Sequence, residues 1–212
     1  MKVINRWIDS LVSNGMSYSS YLFFRTFCRG KIEGEAYILD RLDSNFILVS
    51  NHVSYLDWLV IWGVFKFRYK TDILFLAKEK LFNDRFWGRL MRYGNCIKVK
   101  DDGTKITDSR NMRTLLQENK VAIFPEGTRS RDGELQDFRP GAAVFSMRNQ
   151  VDIIPVGLVG FFESWRPEER LPRPHRCSIR VGEPIASAEL KAMGRGATDH
   201  LRETVGKLSG QL

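Results

Sequence analysis

The chain has 212 residues, 43% of them apolar and 27% charged, which excludes a disordered or collagen-like chain and allows one domain, or one domain with a short appendage. Its 33 Lys and Arg outnumber 25 Asp and Glu, a net +8, and 12% of the residues are aromatic; this balance points to an anionic partner, whether membrane, nucleic acid or phosphorylated ligand. Cys28, Cys96 and Cys177 fit neither a disulfide framework nor a zinc pattern, and the scattered His52, His175 and His200 make no metal-ligand cluster.

The first thirty residues differ from the rest. Val3, Ile4, Trp7, Ile8, Leu11 and Val12 recur at helical spacing, opposite Lys2, Asn5, Arg6, Asp9 and Ser10. Asn14 and Gly15 carry a stop signal. A second helix is expected over 17–29, where Tyr18, Tyr21, Leu22, Phe23, Phe24 and Phe27 accompany Arg25 and Arg29. Residues 1–30 therefore read as an amphipathic helical hairpin, ahead of a domain over 31–212. Two roles fit it: an interfacial anchor on anionic lipid, or a cap on the domain core. The apolar run 58–65 is bounded by Asp57 and Lys66, far short of the ~20 residues of a membrane span. Arg6 and Asp9 interrupt any leader-like apolar stretch, so no signal peptide is expected.

From residue 31 onward, short apolar runs alternate with helical patterns. Strands are expected at 46–50, 73–76, 96–99, 121–124, 153–156 and 178–181. Several are continuously apolar, as in strands covered on both faces. Helices are expected at 55–65, 84–93, 108–118 and 141–148, and a last one within 187–208 that Gly194 and Gly196 weaken. The alternation predicts a single α/β domain with a central, mostly parallel or mixed sheet flanked by helices. Trp58, Trp62 and Phe65 read as core rather than as the wall of a chain-measuring tunnel. The Arg- and Pro-rich stretch 167–174 reads as a surface loop.

Two loops at strand ends carry candidate chemistry. In the first, Asn51 and His52 follow the strand at 46–50, and Asp57 stands four intervening residues on. A carboxylate there could orient the imidazole and balance its charge while His52 removes a hydroxyl proton. Ser54 and Asp57 equally have the spacing of a helix capping box. In the second, F-P-E-G-T-R-S at 124–130 follows the strand at 121–124. Arg129 could grip phosphate and Glu126 accept from a hydroxyl, or the two could form an ordinary ion pair on a turn.

Together, N-H-x4-D after one strand and F-P-E-G-T-R-S after a later one resemble the glycerolipid acyltransferase family, whose members include 1-acyl-glycerol-3-phosphate acyltransferases. Contiguous FPEGTR arises by chance in on the order of one in 10⁵ chains. Further blocks resemble the family over roughly 31–190: Ala77, Lys78 and Leu81; 94–100; 138–142; 154–156; and 182–185. One block departs. The family's G-x-I-x-x-x-R ends here in Lys100, a point charge without a bidentate fork.

The resemblance implies transfer of a fatty acyl group from an acyl-CoA or acyl carrier protein thioester to the free hydroxyl of 1-acyl-glycerol-3-phosphate, with no cofactor and no metal. His52 would be the general base and Asp57 its orienting partner. Glu126, Gly127, Thr128, Arg129, Lys78 and Lys100 would hold the substrate, and the backbone around Gly127 the oxyanion. No acyl-enzyme is needed, so neither Ser54 nor a cysteine is expected as a nucleophile. The implied partners are a lipid acceptor, an acyl carrier and an anionic membrane surface, with peripheral attachment on its cytoplasmic side. Alternatives are the same chemistry on glycerol-3-phosphate, a lyso-phospholipid or an amino-lipid, and a non-catalytic lipid-binding protein. No motif supports nucleic-acid binding.

Overall fold

This computed structural model describes residues 2–100 and 112–212, with side chains from residue 9 onward apart from Phe86. Seven strands form one sheet among the described residues: β1 (Lys31–Glu33), β2 (Ile47–Ser50), β3 (Leu74–Lys78), β4 (Cys96–Val99), β5 (Val121–Ile123), β6 (Ile153–Val159) and β7 (Ser178–Val181). Their order is β1-β7-β6-β2-β5-β3-β4. Every pairing is parallel except that of β6 with β7. The expected α/β domain with a mostly parallel, mixed sheet is the fold observed.

The middle of the sheet follows from continuously apolar strands. In and just before β2, Phe46 and Leu48 face one side while Ile47 and Val49 face the other, and all four are buried. The first side is covered by α1 (Lys2–Thr26) and α3 (Leu56–Gly63), which a π-helical stretch, Val64–Arg68, extends. The second is covered by α6 (Gly141–Asn149), α8 (Ser187–Met193) and α9 (Ala197–Ser209). From β2 the chain crosses toward β3 on the first side. From β5 it crosses back toward β6 on the second. The carboxyl ends of β2 and β5 thus lie side by side where the connections diverge, the usual place for a site in an open α/β sheet. Trp62 and Phe65 are core, as expected.

The N-terminal expectation needs correction. α1 is one continuous helix through Asn14 and Gly15, with no hairpin. A glycine inside a helix costs only about 1 kcal/mol relative to alanine, and docking of the inner face outweighs it. Ser17, Ser20 and Phe24 are buried along that face. The Ser20 hydroxyl donates to the Leu59 carbonyl at 2.7 Å. A Cβ added at Gly63 would stand 2.9 Å from that hydroxyl oxygen, so small residues bring α1 and α3 close. The other face leaves Leu11, Val12, Tyr18 and Leu22 exposed. The side chains of Val3, Ile4, Trp7 and Ile8 lie outside the described residues. No described helix is long and apolar enough to cross a membrane.

Other boundaries shift modestly. The last helix is two, α8 and α9, separated by a 3-10 turn at Gly194–Gly196 whose Gly194 takes a φ of +58°. The expected helix over 108–118 is present as α5 (Met112–Glu118), and residues 108–111 lie outside the described residues. α4 (Arg85–Tyr93) matches expectation, whereas β1, α2 (Ala36–Leu39) and α7 (Phe161–Ser164) are too short to leave a periodic signal.

Candidate active site

The loop after β2 is held from three directions. Asn51 is buried, and its amide pairs with both backbone groups of Leu158 on β6, accepting at 2.8 Å and donating at 3.1 Å. The fully buried Asp57, in the first turn of α3, accepts through Oδ2 the N–H groups of Val53 (2.7 Å) and Ser54 (2.8 Å). The N–H of Leu56 donates in turn to the Ser54 hydroxyl oxygen at 3.2 Å. This is half of a capping box: the Asp57 carboxylate reaches back to the Ser54 N–H, while the Ser54 hydroxyl accepts from the Leu56 N–H rather than from that of Asp57.

The same Asp57 oxygen lies 2.7 Å from His52 Nδ1. The two roles the spacing left open are therefore both present in one carboxylate. Facing a carboxylate, Nδ1 carries the proton, which leaves the basic Nε2 lone pair for an incoming hydroxyl. The imidazole also stacks on Phe124, with ring centroids 4.2 Å apart. Ser54 Oγ donates to the Trp165 carbonyl at 2.7 Å and is buried, which suits no nucleophilic role.

The second loop supports the first through backbone. Glu126 Oε1 accepts the His52 N–H at 2.6 Å, and the Ser130 N–H donates to the His52 carbonyl at 2.8 Å. Both main-chain groups of His52 are thus gripped by the 124–130 motif. The other Glu126 oxygen accepts the Gln136 N–H at 3.2 Å. Glu126 is only 4% exposed, and it is not among the described residues that line the cleft beside His52. Gly127 turns the chain at a φ of +71°, and a Cβ there would meet the Arg139 guanidinium at 3.0 Å. Its N–H donates to the Phe124 carbonyl. The N–H of the exposed Thr128 has no acceptor among the described residues.

The cleft has a volume of about 290 Å³. His52, Phe124, Gly127, Thr128 and Arg129 line one part, and Lys78, Lys80, Phe75 and Trp58 another. The Arg129 guanidinium lies 3.6 Å over the Tyr55 ring, and its buried Nη1 has no hydrogen-bond partner. A cation fixed by stacking and left with an unused donor suits a phosphate or carboxylate ligand. Of the expected site residues, His52, Gly127, Thr128, Arg129 and Lys78 line the cleft, and the buried Asp57 reaches it only through its contact with His52. Lys100 stands exposed beyond β4 and is not among the described lining residues. The structural parts played by Asn51, Glu126 and Ser130 were not foreseen, although each lies inside a motif already singled out.

Comparison with known proteins fits this geometry. The family described as Acyltransferase matches residues 29–159, which takes in both motif loops. The chain belongs to the acyltransferase family. Among curated relatives, 1-acyl-sn-glycerol-3-phosphate acyltransferase alpha of Mus musculus is 31% identical over 159 residues, covering 68% of this chain and 51% of the relative. The 1-acyl-sn-glycerol-3-phosphate acyltransferase of Cocos nucifera is 26% identical over 144 residues, covering 66% and 45%. The chain thus spans about half the length of these relatives. The crystal structure of the 1-acyl-sn-glycerophosphate (LPA) acyltransferase PlsC from Thermotoga maritima superposes with a TM-score of 0.71 at 22% identity, covering 94% of this chain and 77% of that one. At that identity the likeness concerns the fold.

In this member of the family Glu126 should leave a signature in stability. Burial pushes its carboxyl from an ordinary value near 4.5 up to about 7; the Asp57 charge adds to the rise, and the two backbone N–H groups and Arg202 oppose it. A carboxyl raised in the folded state binds more protons there than in the unfolded chain. Stability therefore falls as pH rises from about 4.5 to about 7, by about 3 kcal/mol if the whole shift is expressed. Glu126→Gln should flatten that part of the profile. Urea midpoints at pH 5 and pH 8 check it, and equal pH dependence in parent and variant would exclude Glu126 as the source.

Proposed function

We propose that the protein is a glycerolipid O-acyltransferase that moves a fatty acyl group from an acyl thioester, on coenzyme A or acyl carrier protein, to the free hydroxyl of 1-acyl-glycerol-3-phosphate. The observation that carries this reading is the His52–Asp57 pair opening onto a cleft that also holds Arg129 and Lys78. His52 Nε2 takes the proton from the acceptor hydroxyl as its oxygen attacks the thioester carbonyl carbon. Asp57 holds Nδ1–H and offsets the imidazolium charge. The tetrahedral intermediate then collapses, the C–S bond breaks, and the imidazolium returns its proton to the thiolate. The backbone at Gly127 and Thr128 stabilises the oxyanion, with Thr128 N–H the uncommitted donor. Arg129 and Lys78 hold the acceptor phosphate, Lys100 adds positive charge outside the cleft, and Glu126 positions His52. Residues 1–30 dock the enzyme peripherally on the cytoplasmic side of an anionic membrane through the exposed side of α1.

Release of free thiol from palmitoyl-coenzyme A in detergent, with and without 1-acyl-glycerol-3-phosphate, tests the reaction. Release that depends on the acceptor supports it; release indifferent to the acceptor, or none from folded protein, argues against it. In the same assay, Arg129→Ala should raise the KM for the phosphorylated acceptor about tenfold with little change in kcat, the pattern of lost ground-state binding. An unchanged acceptor KM would take Arg129 out of the phosphate role. Arg129→Lys should recover only part of the affinity, because lysine keeps the charge but loses the fork and the stacking on Tyr55.

A further inference from the structure

We propose that the loop between α7 and β7 and the arginines of α4 join α1 in a single contact surface for an anionic lipid bilayer, with Leu171 inserted in it; the proposal rests on the reading of the protein as a membrane-docked lipid enzyme. An apolar groove of about 600 Å³ runs between Val12, Met16 and Phe23 of α1, Leu59 of α3, Leu90 of α4 and Pro172 of the loop. Leu171, next to Pro172, is 76% exposed, and Leu11, next to Val12, is 77% exposed. A single exposed leucine is unremarkable in a soluble surface. Here two of them adjoin, in the chain, residues that line one apolar groove, and such a concentration of apolar surface marks an interaction site.

The loop presents Leu171 from a braced frame. The Arg173 N–H donates to the Ser164 carbonyl at 2.7 Å, and the buried Ser164 hydroxyl donates to the Arg173 carbonyl at 3.1 Å. Trp165, which also lines the groove, donates its indole N–H to the Glu169 carbonyl at 3.0 Å. Little ordering is then needed to bury Leu171 in lipid.

Charge selects the partner. Between 166 and 176 the loop carries four arginines against two glutamates, and one of those, Glu169, is paired with Arg173 at 2.8 Å. α4 exposes Arg85, Arg89 and Arg92 at i, i+4 and i+7, and the helix contains no acidic residue. An apolar groove for the acyl boundary, with exposed arginines for the headgroups on the same loop and helix that help line it, matches an anionic bilayer. The groove shares α3 with the cleft, since Leu59 lines the one and Trp58 the other, so this docking brings His52 close to the lipid phase.

The test is co-sedimentation of the full chain with phosphatidylcholine vesicles containing about 30 mol% phosphatidylglycerol. Leu171→Glu and the pair Arg89→Glu with Arg92→Glu should each weaken binding about tenfold. Leu39→Glu, on an exposed leucine of α2 away from the groove, should leave it unchanged. Thiol release with micellar acceptor should be the same in all four chains, which shows that the variants are folded. Leu171→Glu binding as tightly as the parent overturns the surface, and so does Leu39→Glu weakening binding equally. A parent that is silent in micelles refutes the acyl-transfer reading instead, whatever the vesicles show.

Discussion

Replacing His52 with alanine should lower kcat by at least ~10²-fold, the lower range for loss of a general base, with the KM for both substrates nearly unchanged. The expectation follows from the geometry. Nδ1 is committed to Asp57 at 2.7 Å, so Nε2 is the one imidazole nitrogen free to take a proton, and the ring is fixed against Phe124. The substitution removes a partly exposed ring whose backbone groups stay gripped by Glu126 and Ser130, so the fold should survive. The measurement is steady-state thiol release at saturating donor and acceptor, alongside a urea midpoint. Normal turnover by a folded His52→Ala enzyme would falsify the general-base assignment. Loss of turnover together with loss of the urea transition would instead mean that the ring is structural, and the role would pass to another group.

Much of this site was legible because its chemistry sits in two short, contiguous motifs at strand ends. Short apolar runs between helical patterns marked the strands, and the continuously apolar ones read as covered on both faces, as β2, β5 and β6 are. What was not legible depends on contacts between distant segments. The single helix α1 is decided by Ser20 on Leu59 and Phe24 in the core, thirty-odd and more residues away in part, while Asn14 and Gly15 carry a genuine local stop signal. β1 has only three residues and exists because β7 pairs with it. Glu126 shows the same limit within the site. Its residue type suggested a ligand for the acceptor, but the fold turns the side chain inward onto the His52 N–H, 74 residues back along the chain. Spacing within one motif shows which groups are neighbours; it does not show which way a side chain turns between two motifs.

The sharpest separation of structure from catalysis is expected at Asp57. Asp57→Asn should keep the fold and lower kcat by about 10³-fold, because a neutral amide neither balances the imidazolium nor enforces the Nδ1–H tautomer. The amide oxygen can still accept the Val53 and Ser54 N–H groups at the start of α3. The new NH₂ would occupy the position of Oδ1, a buried atom with no hydrogen-bond partner, at a cost of about 1–3 kcal/mol. Asp57→Ala should be worse for stability, since it strands two buried N–H donors at once, each worth about 1–3 kcal/mol. The comparison is made by measuring kcat and urea midpoint for both variants. If the carboxylate served the helix alone, Asn would turn over within a few-fold of the parent and only Ala would fail. If it serves His52 as well, turnover collapses in Asn while most of the stability remains. That split between the two observables follows from one oxygen accepting from His52, Val53 and Ser54 together, an arrangement in which the start of α3 and the orientation of the base depend on the same side chain.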